Sequence, residues 1–227
     1  MSLQQKQTGF TLVEMAIVLV ILGLLLGGVL APMSAQKEQQ RRNENQQLLN
    51  QALEALQGYA LVNGQLPCPD SSGDGVADNA SCTTNAATAY SGRIPWVTLG
   101  LNAQFDPWGE GHPVNYAVNG AFTGYSIGSG FALSAAGSGA GILRVHDRSS
   151  SCGSTLNLVA DNVPAIVWTG AKTDYTANSD EAENADLDTC YISRSYTSLS
   201  GSEFDDQIVW LSPNILFNRM ISAGLLP

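Results

Sequence analysis

Basic residues are scarce in this 227-residue chain: ten Lys and Arg stand against twenty Asp and Glu, a formal net charge of −10. A protein that neutralises phosphates needs a basic patch, so the shortage argues against nucleic-acid binding. Histidine is scarcer still. With only His112 and His146 there is no HExxH helix and no Cys/His zinc spacing. Neither a Walker A loop nor a GxSxG elbow occurs, and the Gly-rich stretch GSGFALSAAGSGAG (128–141) lacks the strand–turn–helix context of a dinucleotide site. His146 and Asp147 stand just before Ser149, but adjacency in sequence is not the geometry of a catalytic triad. From these absences we expect no enzyme. Cysteine is also sparse, with Cys68, Cys82, Cys152 and Cys190 and no CxxC pair. An even number of widely spaced cysteines beyond an apolar segment reads as two disulfides formed in an oxidising compartment. Of the three connectivities that four cysteines allow, the sequence-local one, Cys68–Cys82 with Cys152–Cys190, is preferred.

What the chain does have is one long apolar run. From residue 10 to residue 31 the only ionisable group is Glu14, and Pro32 follows. As a helix this run is about 33 Å long, enough for the hydrocarbon core of a bilayer. A secretory signal peptide would carry a shorter apolar core and a small-residue cleavage site behind it. Here APMSAQKEQQ flows directly into a further helical pattern, so any processing is expected before the apolar run. A carboxylate inside such a segment is costly and marks a functional partner. Gly23, Gly27, Gly28 and Pro32 lead us to expect a bend or local melting of the helix.

The stretch GFTLVE followed by the apolar run closely resembles the class III signal of type IV prepilins and of the pseudopilins of type II secretion. The resemblance implies cleavage by a membrane prepilin peptidase between Gly9 and Phe10, N-methylation of Phe10, and retention of the apolar segment in the mature subunit. Glu14 then becomes the fifth mature residue, and the resemblance assigns it to subunit register, paired with a neighbour's terminal amine. The implied partners are other pilin or pseudopilin subunits, the peptidase and the inner-membrane assembly machinery. The implied location is the inner membrane, with the head in the periplasm, and then a filament. A second, weaker resemblance covers IPWVTLGL, DPWG and the C-terminal WLSPNILFNRMISAGLLP, which are similar to stretches of pilin-like heads. Trp96 and Trp108 within it are read as core or turn-packing residues.

Behind the run, Leu49, Ala52, Leu53, Leu56 and Ala60 recur at three- and four-residue steps, one face of a helix that Asn63-Gly64 and Pro67 end. Short apolar runs such as HPVNYAV, GYSIGSGFAL, GILRVHD, LNLVAD and PAIVWT read as strands, and SPNILFNRM as a terminal helix. The expected fold is α+β: a long N-terminal helix, half transmembrane and half amphipathic, packed on an antiparallel sheet. The expected divisions are a leader at 1–9, a membrane and assembly helix at 10–32, its amphipathic continuation at 33–64 and a head at 65–227.

Two acidic loops suggest a hard cation. DSSGDGVAD places Asp70, Asp74 and Asp78 four apart around two glycines, between Cys68 and Cys82. SDEAENADLD offers Asp180, Glu181, Glu183, Asn184, Asp186 and Asp188, with Asp205 and Asp206 expected as neighbours. Ca2+ is the cofactor expected if either loop binds one. The competing function is a membrane-anchored extracytoplasmic binding protein that does not polymerise.

Overall fold

The computed structural model describes residues 9–79, 82, 88–102, 105–123, 143–173 and 179–225, without the side chains of 26–33. The leader at 1–8, the Gly-rich stretch 128–141 and the expected strand at GYSIGSGFAL lie outside the described residues. The chain divides into two compact units, Met1–Asn43 and Glu44–Pro227.

One helix, α1 (Leu12–Asn63), runs through both units without a break in its helical assignment. The melting expected near Gly23 to Pro32 is therefore not found. The missing Pro32 N–H removes a single bond of the ladder, and the helical residues on both sides keep the conformation. In the first unit the helix carries the apolar run. In the second, Leu49, Ala52, Leu56 and Ala60 are fully buried.

The second unit is α+β. A four-stranded antiparallel sheet is formed by β1 (Ala89–Arg93), β2 (Asn115–Asn119), β5 (Ala165–Thr169) and β7 (Gln207–Leu211), in the order β1-β2-β5-β7. A three-stranded sheet has β3 (Leu143–His146) between β4 (Leu158–Val163) and β6 (Cys190–Ile192). β3 pairs antiparallel with β4 but parallel with β6, a departure from the all-antiparallel expectation. The long connection between β3 and β6 contains β4, β5 and α2 (Asp180–Ala185), which gives the chain room to return in the same direction. The terminal helix α3 (Pro213–Ser222) starts with Pro at its first turn, as SPNILF suggests.

Strand alternation builds two cores back to back. Ala165 and Val167 of β5 face a cluster with Tyr116, Val118, Leu211 and the buried seam of α1. Ile166 and Trp168, on the other face, join Ala117 of β2 and Leu143, Val145 and Tyr191 of the second sheet. β5 is thus buried on both sides, which explains its unbroken apolar sequence AIVWT. Trp168 and Tyr191 meet at 4.9 Å between ring centroids, tilted by 59°. Asn45, fully buried, fastens the helix to the sheet: its amide donates to Thr169 Oγ1 at 2.7 Å and to Gln207 Oε1 at 2.6 Å.

Both disulfides are sequence-local. Cys68 pairs with Cys82 and Cys152 with Cys190, with Cα separations of 5.7 and 5.8 Å. The first closes a loop of 14-residue separation, the second ties the 3-10 turn Ser149–Ser151 to β6.

The α1 seam is the largest helix contribution to the core. Leu56→Ala is expected to lower the unfolding free energy by about 2–5 kcal/mol, whereas Glu54→Ala on the exposed face changes it by less than about 0.5 kcal/mol. Urea titration of the full-length chain in detergent measures both.

Candidate functional site

Thr11 and Glu14, near the start of the apolar stretch, form a reciprocal cap. Thr11 stands just before the first residue of α1. Its N–H and hydroxyl donate to Glu14 Oε2 at 2.8 and 3.0 Å, and the Glu14 N–H donates to Thr11 Oγ1 at 3.3 Å. This is a capping box, Thr-x-x-Glu, which satisfies backbone donors that a helix start leaves open. Sequence reasoning assigned Glu14 to a neighbouring subunit and passed over Thr11. The signal was present in TLVE, a hydroxyl residue three positions before a carboxylate at the head of an apolar run.

Beyond this cap the helix is apolar and uncovered. Phe10 and Leu12 are 83% and 88% exposed, and Val13, Leu19, Val20 and Leu24 are each exposed by more than half. Apolar exposure on every side of a helix is unfavourable in water and calls for lipid or other helices around it. Among the described residues no helix is long and apolar enough to cross a membrane. The run is described in side-chain detail only as far as Leu25.

The loop at 70–78 does not gather its carboxylates. Asp70, buried, accepts from the N–H groups of Gly73 and Gly75 at 2.6 and 2.8 Å and from the Ser72 hydroxyl at 3.2 Å. Asp74 accepts from the Val76 N–H at 2.8 Å. Asp78 accepts from the Ser71 hydroxyl, the Ser71 N–H and the Ser72 N–H. Each acid therefore folds the loop onto its own backbone. The glycines serve the same end. Gly75 sits at φ +82°, and a Cβ there would stand 2.4 Å from Trp96 Nε1. Its carbonyl accepts from Val97 and Thr98, so Trp96 packs over the loop as a turn-packing residue.

The second acidic stretch is partly helical. Ser179 caps α2, accepting from the Ala182 N–H. Asp180 takes the Ser149 N–H and hydroxyl, each at 2.8 Å, and an ion pair with Arg194. Burial pushes its carboxyl up, but Ser149 and Arg194 outweigh that and hold it below the ordinary range. Arg194 lies over the Phe204 ring, 5.4 Å from its centroid. Asp180 is thus committed to Ser149 and Arg194 and does not join the group formed by the other three expected ligands. Glu183, Asp186 and Asp188 do come together, with one carboxylate oxygen of each within 4.8 Å of the others. Partial burial and the neighbouring carboxylates raise Glu183, and burial followed by Asp186 raises Asp188. Glu181, from the same stretch, lies instead with the expected neighbours Asp205 and Asp206, all three buried and one oxygen of each within 4.8 Å of the others.

His146 is fully buried in β3, its Nδ1 3.2 Å from the Leu156 carbonyl oxygen, while Asp147 pairs with Arg148. Ser149 is committed to Asp180. His112 sits in the loop before β2, which Asp106 organises by accepting from the Trp108 N–H at 2.8 Å. Burial raises the Asp106 carboxyl to about 6.

The described part of α1 thus begins as a capped, exposed apolar segment and ends as a buried apolar seam in the head. Residues 4–30 match the family model of the prokaryotic N-terminal methylation motif, the signal of type IV pilins and pseudopilins. No curated protein and no solved structure matches the chain. The motif implies prepilin-peptidase processing, membrane anchoring and assembly with other pilin subunits, and suggests a structural subunit.

The Ser71 hydroxyl and N–H hold the Asp78 carboxyl below its ordinary 3.8. A depressed folded value means that this loop contact stabilises above about 3.8 and is lost as pH falls through the folded value. Carboxyl-detected NMR is expected to place Asp78 below 3.8, and Ser71→Ala is expected to move it upward. Equal midpoints in the two proteins would show that the serine does not hold the acid.

Proposed function

We propose that the chain is a low-copy subunit of a type IV pilus or type II secretion pseudopilus. It is processed between Gly9 and Phe10, N-methylated at Phe10, and assembled through α1. The observation that carries this reading is the combination of the methylation motif at 4–30 with an apolar helix exposed on all sides from Leu12 to Leu25. A soluble protein would not keep that surface uncovered. In the membrane it partitions into lipid, and in a fibre the same surface packs against other subunits' helices.

Glu14 sets register. Its cap with Thr11 is available within one chain, whereas the amine freed at Phe10 by cleavage offers a neighbouring subunit's carboxylate a cationic partner. A charge buried among apolar helices is costly alone and tolerated when paired. The leader occupies 1–9, the assembly helix 10–32, its amphipathic continuation 33–64 and the periplasmic or surface head 65–227. A head of this size, rich in loops and held by two disulfides, suits a tip or low-copy position better than a repeating shaft.

Mass spectrometry of the native N-terminus tests the processing: a mature chain starting at methylated Phe10 is expected, and an intact Met1 in the membrane fraction would overturn the reading. Glu14→Ala is expected to remove the subunit from sheared filaments while leaving membrane insertion unchanged. If incorporation persists, the register role is wrong, and a chain that is processed but never found in filaments would favour a membrane-anchored binding protein.

A further inference from the structure

Insertion and assembly of the apolar run leave the segment behind it without a task. Between Pro32 and Asn43, still inside the first unit, α1 turns polar and basic. Lys37, Arg41 and Arg42 stand there against Glu38 as the one acid. The remainder of the chain is charged the other way. Eighteen of the twenty acids, but only six of the ten basic residues, lie beyond Asn43.

The three cations are not equivalent. Arg42 is buried, and its guanidinium pairs with Glu38 at 3.3 Å, so those two charges offset each other. Lys37 and Arg41 are exposed and stand in no ion pair among the described residues. Four positions apart on an unbroken helix, they share one face, with Cβ atoms about 6 Å apart.

We propose that Lys37 and Arg41 bind the anionic phospholipid headgroups of the leaflet from which α1 emerges. The inference rests on the membrane-inserted reading of residues 10–31. At 1.5 Å per residue, Lys37 lies about 9 Å and Arg41 about 15 Å along the helix from Ala31. The polar layer of a leaflet is about 5–8 Å deep. Side chains on a helix lean toward its N-terminus, which here is toward the bilayer. Long Lys and Arg stems carry the charges back by several ångströms, to the level of the phosphates. An ammonium meets a phosphodiester as a point charge, and a guanidinium meets it through paired N–H donors.

Charge and position together choose the occupant. An anionic surface attracts cations that lie within about a Debye length of it and repels the acidic remainder of the chain. The acidic head of a second copy would attract the same pair. The lipid is favoured because Lys37 follows directly on the apolar run, whose exposed side chains already call for lipid, and because the membrane surrounds the helix before any subunit assembles.

The test uses the full-length chain in mixed micelles holding equal amounts of phosphatidylglycerol and phosphatidylcholine. Native mass spectrometry is expected to show phosphatidylglycerol retained in preference. Lys37→Gln combined with Arg41→Gln is expected to lower that preference by about fivefold or more. Lys172→Gln combined with Arg219→Gln, which removes the same charge from exposed positions of the head, is expected to leave it unchanged. Equal retention of the two lipids by the wild-type chain, or an undiminished preference in the first variant, would overturn the proposal. So would displacement of the lipid by inorganic phosphate at the same concentration, which would assign the pair to a free anion. A first variant that keeps its lipid preference but loses chain–chain association would assign it to a second copy. Flotation with vesicles separates this proposal from the reading beneath it. A chain that floats with vesicles of either lipid but retains both equally keeps the membrane reading and loses the headgroup site, whereas a chain that floats with neither loses both.

Discussion

The contact between the second half of α1 and the four-stranded sheet is the constraint on which the rest of the head depends. Four residues at helical spacing, Leu49, Ala52, Leu56 and Ala60, are removed entirely from water. Their small-large alternation lets the helix lie close to Val118, Val167 and Leu211. Apolar burial is not directional, so by itself it would tolerate sliding along the sheet. Asn45 supplies the missing direction, since its amide reaches both Thr169 at the end of β5 and Gln207 at the start of β7. A buried amide held by two side chains from different strands fixes one register, because any shift would leave those groups desolvated without partners.

The same helix is subject to opposite demands along its length. Within the head it presents an apolar seam and an exposed polar face, and every large apolar group on the seam has a protein partner. In the first unit the described large apolar side chains, from Phe10 to Leu25, are exposed. A sequence that only had to fold in water would place polar residues there. The capping box at Thr11 and Glu14 shows how the start of this segment is made independent of its surroundings. The cap satisfies donors locally, so the first turn needs no neighbour to hold it. A helix start capped by its own side chains keeps its shape whatever surrounds it.

Much of the architecture was legible in the sequence because it is written in periodicity. The seam of α1, the strand at AIVWT and the terminal helix each follow a 3.6 or 2.0 repeat, or an unbroken apolar run between turns. β6 and β7 were missed for a physical reason. Cys190 to Ile192 is three residues long, and Gln207 to Leu211 follows an acidic stretch whose burial only tertiary contacts produce. The parallel pairing of β3 with β6 is a matter of long-range topology, for which no local pattern exists. α2 was concealed in a segment read as a charged loop, although Ser179 three residues before Ala182 is a capping signal.

The acidic loops show why residue type alone does not define a site. DSSGDGVAD has the composition of a cation loop, yet its backbone N–H groups are close enough to take the carboxylates first. Asp70 satisfies Gly73 and Gly75, Asp74 satisfies Val76, and Asp78 satisfies Ser71 and Ser72. Gly75 permits this only because a positive φ and the absence of a side chain let Trp96 close over it. Asp180, Asp186 and Asp188 are likewise taken up by local donors or by Arg194. A short loop rich in donors converts acids into internal acceptors. Carboxylates brought together from separate elements, as Glu181 is with Asp205 and Asp206, remain close to each other because the fold, and not the local backbone, places them there. In a chain with twice as many acidic as basic residues, it is this difference in origin that separates acids that shape their own loops from acids that the fold holds together.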